Sequence, residues 1–264
     1  MLMNRLIMAE TGISDPYHEA KVQSNSFALK LAPEFTQMLS EISDPYKRLT
    51  TALSLSAAGN VVDFTCDKHI NLEDSLKDAT IPNKSGTFFS IDNTKELFEK
   101  LSSAKSLLMF LDNSGEVVFD VMLLDVISKL FPNLSDVCIA CKAGPLLNDV
   151  TKDDCNFAGM DDLRFGPEKK SVHYLELGTK DFGMWPPSPP FVSGKKPIIE
   201  IVTTPAVSFP EVFDEYDVVI SKGQANYEAM CNWGKDIFFV LTSKCEPVAE
   251  DSGAPIGTRI VEMK

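Results

Sequence analysis

Two hard oxygen ligands follow one apolar stretch of the chain. In SLLMFLDNSGEVVFD, residues 106–120, the apolar residues end at Asp112 and Asn113, and a helical apolar pattern begins after Ser114 and Gly115. Carboxylate and amide oxygens on adjacent residues suit Mg²⁺, Mn²⁺ or a similar divalent ion. The backbone N–H groups of Ser114 and Gly115 would lie at a helix start, where anions are favoured. The pattern predicts a site for a metal ion and a phosphate.

Three further stretches place polar residues after predicted strands. Asp149, in AGPLLNDVTKDD, would supply a third oxygen ligand if its strand neighbours the first. Lys222, in ISKGQANYE, and Lys244, in LTSKCEP, would each bring a positive charge to the same edge. Turn and N-cap chemistry is the competing interpretation of the Asp112 stretch, and lysines after strands are usually solvated. Four such stretches at one predicted edge favour a phosphate pocket.

The elements that must position these residues alternate between strand and helix from about residue 86. The predicted strands are Thr87–Ser90, Ser106–Leu111, Val137–Cys141, Val172–Leu177, Ile198–Thr203, Asp217–Ile220, Ile237–Leu241 and Arg259–Val261. The predicted helices are Asn93–Ser103, Glu116–Leu130 and Ala225–Asn232. This alternation predicts an α/β fold with a Rossmann-like, doubly wound sheet, in which ligands bind beyond the carboxyl ends of the strands.

A helical N-terminal subdomain is predicted over residues 1–85, followed by the α/β domain over residues 86–264. Asp15-Pro16 and Asp44-Pro45 each offer an N-cap followed by proline at the first helical position. The proline-rich segment from Asp181 to Pro197 is predicted to be a loop, either a flap beside the site or a plain surface excursion.

Composition narrows the classes of protein. The 264 residues are 44% hydrophobic, which is enough for a substantial core, and the net charge of −13 argues against nucleic acid or an acidic membrane as partner. No apolar run approaches the ~18 residues of a membrane helix, and the start lacks the pattern of a secretory signal, so we expect a cytoplasmic protein. The six cysteines are expected to be free thiols. Cys138-x-x-Cys141 is typical of a buried strand rather than of a zinc or redox site.

Several motifs together resemble one known family. LDNSGEVVFD, GPLLNDVTKDD, VVISKGQANYE and FFVLTSKCEPVA, in this order, are similar to motifs of the damage-control phosphatases. DPYHEAKVQSN and ALSLSAAGNVVDF resemble the helical N-terminal part of the stand-alone microbial branch of that family. The resemblance implies a metal-dependent phosphatase that acts on small phosphorylated metabolites, such as sugar phosphates or damaged phosphorylated cofactors. It also implies a helical domain packed on a Rossmann-like domain.

The resemblance also implies roles for individual residues. It places a divalent ion (Mg, Mn, Co or Ni) on Asp112, Asn113 and Asp149, and it places Lys244 on the substrate phosphate. The remaining residues expected at the substrate comprise two in the pocket wall of the helical part, the two at the helix start, and three that match the KGQ-NYE pattern. These residues are Asn60, Asp63, Ser114, Gly115, Lys222, Asn226 and Glu228.

The mechanism stays open between two versions. Either Asp112 attacks phosphorus and forms an aspartyl-phosphate, or it binds the metal and helps to orient a water. Two other functions compete: a transferase on the same fold, against which the chain lacks a Gly-rich dinucleotide fingerprint and a P-loop, and a non-catalytic protein that binds phosphometabolites. Catalysis by Ser-His-Asp or Cys-His has little support, because His18, His69 and His173 lie near no nucleophile elbow.

Overall fold

Two β-sheets occur in the computed structural model, which describes residues 9–59, 72–84, 86–177, 192–193, 196–197 and 212–264. The larger sheet contains β1 (Ile91–Asp92), β2 (Ser106–Phe110), β3 (Asp136–Lys142), β4 (His173–Leu177), β7 (Val218–Lys222), β8 (Phe238–Thr242) and β9 (Arg259–Met263). The smaller pairs β5 (Val192–Ser193) with β6 (Lys196–Pro197) in antiparallel orientation.

The helices fall into an N-terminal group and a group of crossovers. The N-terminal helices are α1 (His18–Glu41), α2 (Pro45–Ala58) and α3 (Leu72–Ala79). The others are α4 (Thr94–Ser103), α5 (Glu116–Leu130), α6 (Lys152–Phe157), α7 (Gln224–Met230) and α8 (Glu246–Ser252). Helix α2 begins as its sequence predicts, because the Asp44 carboxylate accepts the Lys47 N–H at 2.7 Å and proline holds the first helical position.

Strand order places the predicted site at a switch in the direction of winding. The order in the large sheet is β1-β9-β8-β7-β2-β3-β4, and β9 with β1 runs antiparallel to the rest. From β2 the chain winds outward to β3 and β4, and it later returns to β7 on the other side of β2. The carboxyl ends of β2, β3, β7 and β8 therefore share one edge, and β2 with β7 forms the switch point beyond which such folds bind ligands.

Strand β2 is buried on both faces. Leu107 and Met109 join a hydrophobic cluster with helices α1, α2 and α5, whereas Leu108 and Phe110 join a second cluster that includes Tyr227 of α7. Complete burial of side chains of this size stabilises a fold by about 1.5–3 kcal/mol each. Because α1 and α2 share one cluster with α5, the N-terminal helices pack directly on the helix that follows Asp112. The domain boundary at residue 85 stays a prediction.

Most predicted elements are present, and three predictions need comment. The mixed α/β fold and the doubly wound sheet are confirmed, with β2 as an interior strand between β7 and β3. The predicted strand Thr87–Ser90 is wrong: the edge strand is Ile91–Asp92, which pairs with β9. Helix α1 begins at His18 rather than at Pro16, because the Asp15 side chain accepts the Tyr17 N–H in a local turn. The predicted strand Ile198–Thr203 lies outside the described residues.

The cysteines that the structure describes are not joined by disulfides. Cys138 and Cys141 lie buried in β3, and the five cysteines in the described ranges are free. Cys66 lies outside those ranges. None of the helices described is both long and apolar enough to cross a bilayer.

Candidate functional site

Asp112 lies just beyond Leu111 at the end of β2, and its carboxylate fits closely against Gly223, in a position that we call the Asp112 seat. Its Oδ2 accepts a hydrogen bond from Asn113 Nδ2 at 2.8 Å, and the residue is 9% exposed. The same oxygen lies against Gly223, where a Cβ atom would approach to 1.9 Å. Gly223 has φ +84° and ψ 161°, a conformation that is essentially restricted to glycine. The glycine after β7 therefore leaves the space that the Asp112 carboxylate occupies.

A Gly223→Ala variant tests this seat. The added methyl group would displace the Asp112 carboxylate, and a displacement of about 1 Å at a reacting group lowers turnover by about 10²-fold. Steady-state kinetics on the folded variant would measure the loss. Gly253→Ala is the matched control, because Gly253 also has a positive φ of 77° but no heavy atom in the described part of the chain lies within 4 Å of its added Cβ. Equal activity in the two variants would show that the seat is unimportant.

Asp149 is brought to Asp112 by backbone hydrogen bonds. Asn113 and Asp149 form an isolated antiparallel bridge, and the Val150 N–H donates to the Asp112 carbonyl at 2.9 Å. Asp149 also lies 3.6 Å from the Lys142 ammonium. Burial raises the pKa of Asp149 above its ordinary value, against the opposing effect of Lys142. The crossover after β3 thus brings a half-buried carboxylate to the end of β2.

The donor set fits a hard divalent cation. Two carboxylates, of Asp112 and Asp149, and the amide of Asn113 are oxygen donors of the kind that Mg²⁺ and Mn²⁺ prefer. Within the residues that the structure describes, no group of three or more His, Cys, Asp and Glu side chains is arranged to hold a metal. A metal at this edge would therefore depend on the Asn113 amide in addition to the two carboxylates.

The predicted anion site at the start of α5 is not supported by the geometry. The Ser114 N–H donates to the Asn148 carbonyl at 2.9 Å, and the Gly115 N–H donates to Asn25 Oδ1 at 2.5 Å. The Ser114 hydroxyl donates to Asp154 Oδ1 at 3.3 Å. These donors close the turn onto neighbouring segments, so they are not directed at a ligand.

Lys222 points into the interior, toward Glu116 and Asp120. Its ammonium donates to Glu116 Oε1, to Asp120 Oδ1 at 2.8 Å and to the Ser56 carbonyl at 3.2 Å, and its side chain is 0% exposed. Burial alone would lower the pKa of Lys222, but Asp120 and Glu116 outweigh it and raise the pKa above its ordinary value. Burial also raises the pKa of Glu116 to about 8, with Lys222 opposing. All three ammonium donors are used, so this geometry does not support the prediction that Lys222 binds substrate.

The turn that carries Lys244 is held by Gln224. The Gln224 side chain accepts the Lys244 N–H at 3.0 Å and donates to Glu228 Oε1 at 2.9 Å and to Cys245 Sγ at 3.1 Å. Lys244 itself is exposed at the end of β8. Burial raises the pKa of Glu228 above its ordinary value. Glu228 therefore orients Gln224 in this structure, and Gln224 orders the backbone from which the Lys244 side chain extends.

Asn226 joins the ends of two central strands. Its amide donates to the Leu111 carbonyl at 3.0 Å and to the Lys222 carbonyl at 2.8 Å, and the residue is buried. Both bonds are to backbone at the carboxyl ends of β2 and β7. Asn226 thus holds the backbone of these two strand ends together. Asn60 and Asp63, which were predicted at the pocket wall, lie outside the described residues.

Several residues at this edge were not singled out from the sequence. Lys21, Asn25 and Asp154 form a buried polar cluster beside Asn113 and Asp149. Gly223 packs against Asp112, and Gln224 accepts the backbone N–H of Lys244. One local signal was readable: Thr151 and Asp154 form a capping box at the start of α6. The contacts of Lys21 and Asn25 with Asp154 had no local signal, because they join segments that are far apart in the chain, as the Asn25 to Asp154 bond does across 129 positions.

Comparison with known proteins gives a consistent result. Residues 1–260 match the model of the damage-control phosphatase ARMT1-like domain. A damage-control phosphatase of Pyrococcus horikoshii is 30% identical over 255 residues, which cover 94% of this chain and 75% of that protein. The 4'-phosphopantetheine phosphatase of Mus musculus is 28% identical over 156 residues, covering 54% of this chain and 18% of that protein.

A solved structure shares the fold. The crystal structure of a DUF89 family protein from Pyrococcus horikoshii superposes with a TM-score of 0.70 at 28% identity. The match covers 99% of this chain and 80% of the crystallised one.

Proposed function

Because the chain belongs to the damage-control phosphatase family with the ARMT1-like domain, and is thus a phosphatase of metabolites, we propose that it is a divalent-metal-dependent phosphomonoesterase. The substrates would be small phosphorylated metabolites, such as sugar phosphates or phosphorylated cofactors. A relative named for its action on 4'-phosphopantetheine supports the cofactor class. The observation that carries the proposal is the seat of Asp112, beside Asn113 and Asp149 at the carboxyl end of β2.

The proposed roles follow from charge and position. Asp112, Asn113 and Asp149 would hold the ion, which when bound supplies positive charge to the phosphate and lowers the pKa of a bound water. Lys244 would pair with the phosphoryl oxygens from the end of β8. Asp112 would either attack phosphorus, releasing the alcohol and forming an acyl-phosphate that water then hydrolyses, or orient the attacking water. Asn60 and Asp63 stay predicted contacts of the substrate.

Three polar side chains would hold the Asp112 and Lys244 segments in fixed positions relative to each other. Asn226 joins the backbone at the ends of β2 and β7, and Gln224 holds the backbone N–H of Lys244. Glu228 accepts from Gln224 and so restricts its orientation. A frame of this kind favours catalysis, because reacting groups that are already aligned lose little entropy when the transition state forms. Lys222 would act from the interior by stabilising the helix that follows Asp112.

The proposal is tested with purified protein and a panel of phosphate monoesters. Hydrolysis of sugar phosphates and phosphorylated cofactors would be followed by release of inorganic phosphate with Mg²⁺, Mn²⁺, Co²⁺ and Ni²⁺ in turn. We expect activity with at least one ion, its loss with a chelator and its recovery when the ion is restored. Activity that persists in excess chelator would contradict the metal dependence. The same panel with no turnover but saturable binding would favour a binding protein instead.

A Lys244→Met variant should lower kcat/KM by about 10²-fold, the scale of a lost electrostatic donor. The ammonium would favour the transition state at least as strongly as the substrate, so kcat should fall more than KM rises. Methionine keeps the apolar stem, and the exposed position predicts little change in melting temperature. Lys235→Met is the control, since Lys235 pairs only with Asp214 among its described ion-pair partners and lies before β8, at the other end of that strand. If both variants hydrolyse normally, the phosphate must be bound by another cation.

A further inference from the structure

A buried polar cluster lies beside the proposed ligands, and its centre is the Asp154 carboxylate. Asp154 Oδ2 accepts from the Thr151 N–H at 2.9 Å, from the Thr151 hydroxyl at 2.7 Å and pairs with the Lys21 ammonium at 2.6 Å. Asp154 Oδ1 accepts from Asn25 Nδ2 at 3.1 Å and from the Ser114 hydroxyl at 3.3 Å. We call these five residues, all buried except the half-buried Thr151, the Asp154 cluster.

The Asp154 cluster joins three segments of the chain. Lys21 and Asn25 come from α1, Ser114 from the turn after Asp112 and Asn113, and Thr151 from the crossover that carries Asp149. Two of the three segments therefore supply the proposed metal ligands. The third segment, α1, contributes no proposed ligand, yet Asn25 bonds to both of the others and Lys21 pairs with Asp154.

Asn25 is the residue that makes this connection specific. Its amide nitrogen donates to Asp154, and its amide oxygen accepts the Gly115 N–H at 2.5 Å, so both ends of one rigid amide are used. The two bonds fix the distance between the start of α5 and the start of α6. Asn25 is 1% exposed, and a buried amide that lost either bond would be left with an unsatisfied polar group.

Stability alone does not account for such a cluster. A buried ion pair such as Lys21 with Asp154 often stabilises a fold no better than apolar residues of the same size, because both charges must be desolvated. Its hydrogen-bond geometry instead specifies one arrangement of the segments. Residues just behind metal ligands commonly have this role, and their loss weakens metal binding by about 10–100-fold.

We propose that Asn25, Asp154 and Lys21 are positioning residues that set the spacing of Asp112 and Asn113 relative to Asp149. This inference rests on the ligand set of the proposed function. It gives α1 a task beyond packing: the helix determines how well the strand-end oxygens converge on a cation. None of the three positioning residues touches the reacting atoms in this scheme.

The test measures binding of Mn²⁺ alone, without substrate, to the full chain and to Asn25→Ala. Free Mn²⁺ would be followed by electron paramagnetic resonance, with melting temperature as the check on folding. We expect Asn25→Ala to bind Mn²⁺ about tenfold more weakly than the wild type and to lose kcat with the preferred ester. Asn93→Ala is the matched control, because Asn93 Oδ1 accepts the backbone N–H of Met263 at 3.0 Å at the opposite edge of the sheet.

The outcomes separate this inference from the function on which it rests. A wild type that neither binds Mn²⁺ nor hydrolyses any ester with a metal would overturn both. If the wild type binds and Asn25→Ala binds equally well, or only melts lower, the inference alone is overturned and Asn25 is structural. If Asn25→Ala does not fold, Thr151→Val decides, because it removes one hydrogen bond to Asp154 at nearly constant volume. Unchanged Mn²⁺ affinity in Thr151→Val would then overturn the inference, and weaker binding would support it.

Discussion

An Asp112→Asn variant is expected to fold like the wild type and to lose at least about 10³-fold in kcat/KM. The Asn amide has the shape of the Asp carboxylate, so it should still fit beside Gly223. A methyl group added at Gly223 itself would not fit there. It carries no negative charge, however, and can neither attack phosphorus nor bind a cation as a carboxylate does. Phosphate release from the best ester of the panel measures the loss, and Mn²⁺ binding should weaken in parallel.

Asp217→Asn provides the control at the other end of the same strands. The Asp217 carboxylate precedes β7 and accepts the backbone N–H groups of Lys105 at 2.8 Å and Ser106 at 3.1 Å, where β2 begins. This variant should lower stability without a specific loss of turnover. Full activity of folded Asp112→Asn would contradict both versions of the mechanism. Acid quenching during turnover distinguishes them, because an acyl-phosphate traps radiolabelled phosphate on the wild-type protein and an oriented water does not.

A Lys222→Met variant should have a free energy of unfolding lower by about 3–5 kcal/mol. Methionine keeps most of the side-chain volume, but Glu116 and Asp120 would lose the ammonium that lies between them in a fully buried setting. One oxygen of each carboxylate, Glu116 Oε2 and Asp120 Oδ2, already has no hydrogen-bond partner in the described part of the chain. Removing the cation therefore leaves two buried carboxyl groups without the ammonium from which both accept hydrogen bonds, and denaturant unfolding would measure the cost.

Lys129→Met is the control for this variant. Lys129 pairs with Asp125 on the exposed surface of the same helix, α5, and such pairs contribute about 1 kcal/mol or less. Adding Asp120→Asn to Lys222→Met should recover part of the loss, since it replaces one of the two carboxyl groups that lost the ammonium. If Lys222→Met and Lys129→Met have the same free energy of unfolding, the buried ion pairs contribute nothing to stability. A phosphate-binding role for Lys222 would instead appear as lost turnover at unchanged stability.

Local pattern was enough to predict the frame of the site. The apolar run that ends at Asp112 and the helical pattern of Glu116–Leu130 predicted β2 and α5, and α5 has those bounds. The same reasoning put Lys222 and Lys244 at strand ends, because a residue that directly follows a buried run must emerge where the strand stops. Alternation of strand and helix predicted the doubly wound sheet, since parallel strands require crossovers.

Local pattern could not show where the side chains of those strand-end residues are directed, nor which segments pair at the edge of the sheet. The failed edge strand at Thr87–Ser90 illustrates the reason: two residues, Ile91 and Asp92, pair with β9, which lies about 170 positions away along the chain, as in the Ser90 to Arg259 contact. Pairing at that range depends on strand order, which no local periodicity encodes.

The amino-acid sequence by itself determined which chemical groups stand at the ends of the strands, and only the tertiary structure decided which of them are used internally. The Gly115 N–H, an expected anion donor, donates to Asn25 from 90 positions away, and the Lys222 ammonium donates to Glu116 from 106 positions away. Periodicity along the chain reports whether a residue is buried or exposed. Hydrogen-bond partners are instead set by which segments the sheet order and helix packing bring together, because a donor buried on folding must pair with whatever acceptor lies beside it.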